Sequence, residues 1–79
     1  MITTRDWPEH IAVEPDIQGG VPVIRGTRVP VAVVVEAVAA GDEVPEVARG
    51  YRVTEDQVRA ALAYAADLVR GERIIALPR

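Results

Sequence analysis

Residues 46–62 read Glu46-Val47-Ala48-Arg49-Gly50-Tyr51-Arg52-Val53-Thr54-Glu55-Asp56-Gln57-Val58-Arg59-Ala60-Ala61-Leu62, and the place where this stretch breaks decides the fold. Thr54 followed three residues later by Gln57 is a capping box: the threonine oxygen accepts from the Gln57 amide while the glutamine reaches back to the Thr54 amide, so a helix starts there. From that start Val58, Ala61, Leu62, Ala65, Leu68 and Val69 recur at helical spacing as one apolar face, running to Arg70 and Gly71. Glu55 and Asp56 in its first turn and Arg70 in its last agree in sign with the helix dipole. A shorter helix precedes it, from about Val44 to Gly50, with Asp42 or Glu43 at its favourable acidic end. The pair has helix-turn-helix spacing, with small Ala48 for close approach, apolar Val53 after the turn and Val58 to seal the wedge. Arg52 stands in the turn where glycine is common, so the backbone there is either left-handed and strained or bends at Gly50 instead.

Working outward, Val31 to Ala40 is a ten-residue run of Val and Ala, interrupted only by Glu36, that stops at Gly41. Its five valines favour strand locally, but the length, the alanine-rich end and the glycine stop predict a helix with Pro30 at its start and Gly41 as its left-handed cap. Residues 11–30 contain Pro15, Pro22, Pro30, Gly19, Gly20 and Gly26, which excludes a persistent helix. Ile11-Ala12-Val13 and Val21-Pro22-Val23-Ile24 flank Gly19-Gly20 and predict an irregular hairpin bent at the glycine pair, with Pro22 confining the second run to an edge. The organisation expected is mainly α in a single domain: a β-hairpin arm over residues 1–30, then a three-helix helix-turn-helix unit over 31–79. That unit finishes in the short apolar tail Ile74-Ile75-Ala76-Leu77.

The chain has 79 residues, enough for one core and small enough to be marginal without a staple. Cysteine is absent and His10 is the single histidine, so disulfides are excluded and a structural zinc site lacks its ligands. Self-association, as a homodimer or a higher homo-oligomer, is the remaining way to add buried area. Residues 1–8 carry neither the basic nor the apolar region of a secretory leader, and no apolar stretch is long enough to span a bilayer. The expectation is a cytoplasmic protein without membrane contact. Nine arginines and no lysine stand against twelve acidic residues, a net charge of −3, so attraction to nucleic acid has to come from a local patch.

Serine and cysteine are both missing and no carboxylate pair sits in a pocket-forming context, so nucleophilic and histidine-based acid–base machinery lack their parts. The expectation is a non-enzyme with no cofactor and no metal. The glycine-rich stretch 19–30 is no nucleotide loop, since that motif needs a lysine the chain does not have. Two readings of the helical pair stay open. A plain helical hairpin gives the same pattern; a DNA reader would use Gln57 and Arg59 on base edges, with Arg49, Arg52, Arg25 and Arg28 on phosphates. Against the second reading, Glu55 and Asp56 would face the phosphates, and Glu55 is spaced to pair with Arg59. A protein partner would meet the apolar residues of the arm and the tail: Trp7, Ile11, Val13, Val23, Ile74, Ile75 and Leu77.

The run Gly19-Gly20-Val21-Pro22-Val23-Ile24-Arg25-Gly26-Thr27-Arg28-Val29-Pro30-Val31, then Ala39-Ala40-Gly41, Tyr51, Thr54 and Ala61-Leu62-Ala63-Tyr64-Ala65, resembles the prokaryotic domain of unknown function 433. The resemblance covers about residues 9 to 75. It implies a homeodomain-like three-helix fold behind a small β element, dimerisation, and an antitoxin role. The implied toxin is a PIN-like ribonuclease encoded next door, with binding to the pair's own promoter DNA as a second ability. Alternatives are a DNA-binding regulator without a toxin and a small interaction adaptor. No catalytic residue is carried over. Where the family tends to open its second helix with Ser-Pro-Glu-Glu, this chain has Glu43-Val44-Pro45-Glu46, which predicts a late or short second helix.

Overall fold

The structure, a computed structural model, describes residues 7–71. A 3-10 turn at Trp7–Glu9 precedes two short strands, β1 (Ile11–Ala12) and β2 (Val23–Ile24), which are separated by a second 3-10 turn at Gln18–Gly20 and followed by three helices, α1 (Val31–Ala39), α2 (Val44–Tyr51) and α3 (Glu55–Gly71). The mainly helical fold with a small N-terminal β element is the one expected.

The strands are antiparallel, with Ile11 opposite Ile24 and Ala12 opposite Val23. The strands are shorter than expected: Val13, Val21 and Pro22 lie outside them, and the connection is a wide loop over residues 13–22 that bends at the glycine pair as expected, with Gly19 and Gly20 at φ +68° and +92°. Pro22 has no N–H to give to a ladder, and its carbonyl accepts instead from Val31 at 2.9 Å. A second turn comes later, at Gly26 (φ +83°), where Thr27 donates its amide to Ile24 at 3.0 Å and Val23 bridges to Pro30. β2 is therefore held on both sides and delivers the chain directly into α1.

α1 ends as anticipated. Gly41 takes a left-handed φ of +111°, its N–H reaches the Val38 carbonyl at 3.0 Å, and Asp42 reaches Ala37 at 3.1 Å, a Schellman closure. α2 starts on time despite its departure from the family pattern, because a Glu46 carboxylate oxygen accepts from the Glu43 amide at 3.1 Å and Pro45 falls in the first turn, where its missing N–H costs nothing. It is short, at eight residues. α3 opens with the full capping box: Gln57 N–H to Thr54 Oγ1 at 3.0 Å and Thr54 N–H to Gln57 Oε1 at 2.8 Å.

Of the two possibilities for the α2–α3 turn, the strained one is realised. Arg52 sits at φ +61°, ψ +43°, and the Val53 N–H bonds to Ala48 at 2.9 Å. A side chain there costs roughly 1–2 kcal/mol, partly offset by the greater unfolded-state freedom of glycine. Arg52→Gly is expected to stabilise the domain by about 0.5–1 kcal/mol, read as a higher urea midpoint at unchanged slope; a lower midpoint would show that the arginine side chain makes a compensating contact.

One core joins the arm to the helices. Ile11 and Ile24 from the sheet pack with Val31 and Val34 of α1, Val47 and Ala48 of α2, and Val58 and Ala61 of α3. No side chain in this set is larger than isoleucine, which lets three helices approach around a small volume.

Candidate functional site: an apolar groove beside the third helix

α3 has 17 residues against nine in α1 and eight in α2. At 1.5 Å per residue it is about 26 Å long, against about 14 and 12 Å for its neighbours. Its apolar face therefore outruns the helices that cover it. Leu68 and Val69, both read as part of that face, remain exposed at 51% and 54%.

The overhang is braced rather than free. The Trp7 indole N–H donates to Asp67 Oδ2 at 2.6 Å, and the indole meets Tyr64 edge-on with centroids 4.8 Å apart. Arg70 pairs with the other Asp67 oxygen at 2.6 Å. On the opposite side the wide loop, the start of α1 and this part of α3 enclose a groove of about 670 Å³. Its walls are mainly Val21, Pro22, Val31, Val35, Tyr64 and Leu68, with Gln18 and Glu36 also lining it. Volumes of this order suit a small ligand or a few side chains of a short segment. Among the described residues no three His, Cys, Asp or Glu side chains are grouped to hold a metal, and no buried side-chain polar atom lacks a hydrogen-bond partner.

The residues expected to touch DNA are dispersed. The Arg25 guanidinium donates to the carbonyls of Pro8, Glu9 and Ile11 at 3.2, 3.1 and 2.9 Å, so it ties the arm together. Gln57 spends its side-chain oxygen on the α3 cap, and Arg59 pairs with Glu55 at 3.3 Å and Asp56 at 3.5 Å. Arg28, Arg49 and Arg52 are exposed and have no ion-pair partner among the described residues. Arg49 and Arg52 flank the α2–α3 turn.

The apolar residues expected to meet a partner also need correction. Ile11 and Val23 are buried in the chain's own core, at 4% and 1%, because the hairpin folds onto the helices and leaves neither as surface. Trp7 is half-buried against Tyr64, Val13 is exposed, and Ile74, Ile75 and Leu77 lie outside the described residues. The groove walls Val21, Val35 and Leu68 were not anticipated as a site. The signal for Leu68 was present in the unequal lengths of the helices; nothing local marked Val21 or Val35.

The sequence profile described as "Protein of unknown function (DUF433)" matches residues 11–65, more than half of the chain. The chain belongs to the DUF433 family. The matched region holds the sheet, α1, α2 and the first part of α3, so this DUF433 chain builds most of its groove from family residues, with Leu68 beyond them. It is similar to the uncharacterized protein y4eO of Sinorhizobium fredii (strain NBRC 101917 / NGR234), 43% identical over 67 residues, which are 82% of this chain and 30% of that protein. It is also similar to the crystal structure of Rv2018 from Mycobacterium tuberculosis, with a TM-score of 0.65 and 35% identity over 77% of this chain and 29% of that one. The DUF433 chain thus spans about 30% of the length of these relatives.

Proposed function

We propose that this chain is a non-catalytic, antitoxin-type module of the cytoplasm that neutralises a PIN-like ribonuclease by taking a short apolar segment of it into the groove beside α3. The observation that carries the reading is that groove: an apolar slot with braced walls beside α3. The family resemblance supplies the class of partner. Self-association belongs to the same proposal, because a chain of this size without disulfides has few other means of adding buried area.

The test is inspection of the adjacent genes for a small ribonuclease-like reading frame, whose absence counts against the reading, and co-expression with it where one is found. Rescue from growth arrest together with co-purification of the two proteins supports the reading; arrest that persists with both proteins present at equal levels refutes it. A monomer by sedimentation at micromolar concentration would remove the self-association.

Promoter DNA is a second reading, favoured by the exposed Arg49 and Arg52 beside the turn. The acidic first turn of α3 argues against deep groove reading, so the two arginines would contact phosphates. Two phosphate contacts predict that log K falls against log salt with a slope of about −2. A gel-shift titration that shows no binding at low salt excludes this reading.

A further inference from the structure

We propose that the partner segment taken into the groove carries an arginine or lysine beside its apolar side chains, and that Glu36 at the groove pairs with that cation. The inference rests on the docking reading above and adds the charge that selects among apolar segments. α1 consists of valine and alanine except for Glu36, its single charged residue. The residues one turn away on either side are Ala32, Val33, Ala39 and Ala40, so no helical neighbour can offset the carboxylate. The arginines of α3 are placed differently, since Arg59 and Arg70 each pair with a carboxylate three or four residues away. Glu36 is exposed and has no ion-pair partner among the described residues. It is also the one charged residue in the groove lining.

Gln18, which also lines the groove, adds an acceptor. Its amide N–H donates to the Arg28 carbonyl at 3.1 Å, which leaves Oε1 without a hydrogen-bond partner among the described residues. Spacing then limits the segment. Glu36 lies about 7.5 Å along the α1 axis from Val31, and the α3 wall from Tyr64 to Leu68 is about 6 Å long. A cation four residues from the first apolar anchor in a helix, or two in an extended chain, covers about 6–7 Å. One or two apolar anchors and one cation therefore match the walls. A free small molecule suits this groove poorly, because Val21 and Leu68 remain 43% and 51% exposed while small-ligand sites enclose about 70–90% of what they bind. A second folded copy suits it poorly too, since stable dimers bury about 800 Å² on each partner and these walls are only one or two helical turns long. The net charge of −3 adds a longer-range attraction for a basic segment.

The test titrates the full, methyl-labelled chain with three end-capped pentapeptides, in which the sequence Leu-Ala-Leu-Ala is followed by arginine, by its neutral isostere citrulline, or by glutamate. All three are expected to shift the methyls of Val21, Val35 and Leu68. At low ionic strength the arginine peptide is expected to bind roughly two- to fivefold tighter than the citrulline peptide, the scale of a solvent-accessible ion pair. Glu36→Gln is expected to abolish that preference, and Glu36→Arg to transfer it to the glutamate peptide. Glu14→Gln removes an exposed carboxylate outside the groove lining and is expected to keep the preference. Equal binding of the arginine and citrulline peptides, a preference that survives Glu36→Gln, or groove methyls that answer to no peptide, whether empty or already covered by a second copy, would each overturn the proposal. Equal binding of all three peptides in the groove sinks the charge assignment alone. A ribonuclease whose affinity ignores Leu68→Gln sinks the docking reading instead, whatever the peptides do.

Discussion

Replacing Ile24 with alanine is expected to destabilise the domain by roughly 3 kcal/mol, within the range for deleting a large aliphatic side chain from a packed site. The Ile24 side chain is fully buried, the largest such side chain among the described residues, and belongs to the core cluster that also takes in residues of all three helices. Its neighbours cannot collapse into the space, because they are themselves anchored: Ile24 N–H bonds to Val29 at 2.9 Å, and the strand is held by β1 on one side and Pro30 on the other. For a domain of this size the loss corresponds to roughly 12–24 °C in melting temperature. Total stability is expected to be only about 4–12 kcal/mol, so a large share of it goes. Urea unfolding followed by circular dichroism checks this, with Val13→Ala as a surface control expected to move the midpoint little. A change below about 1 kcal/mol for Ile24→Ala would mean that the sheet does not share the helical core.

Leu68→Gln is expected to weaken ribonuclease binding by about 2–4 kcal/mol, roughly 30- to 1,000-fold in Kd, while leaving the fold intact. Glutamine is close to leucine in helix propensity and carries no charge to oppose the dipole near the end of α3, so stability should change little. At the interface the same substitution places an amide in an apolar slot without hydrogen-bond partners. Calorimetric titration of the partner into wild-type and variant chains reads the effect. Unchanged affinity would put the docking surface elsewhere, even if co-expression rescues growth.

Much of the helical part of this fold could be read residue by residue. The Thr54–Gln57 box, the Gly41 stop and the periodic face of α3 act within a few residues of themselves, so local chemistry was sufficient for them. The five valines of α1 show the opposite case, in which local strand preference yields to burial of Val31 and Val34 in the core. The bend between the strands falls at Gly19-Gly20 as expected, but the second turn, at Gly26, was not anticipated, because it depends on Val23 bridging to Pro30, a partner supplied by the fold.

The candidate site was much less legible. Arg25 has the appearance of a free cation in the sequence, yet its guanidinium meets three carbonyls that the hairpin brings around it. Ile11 and Val23 look like sticky surface until the sheet closes on the helices.

By itself the sequence determined the helix starts and stops, the extended arm and the absence of cysteine and serine chemistry, because these depend on residue type and near neighbours. The tertiary structure alone decided which apolar residues became core and which became groove. Burial is a property of what packs on a residue from far along the chain, and α3 is longer than the helices that pack on it.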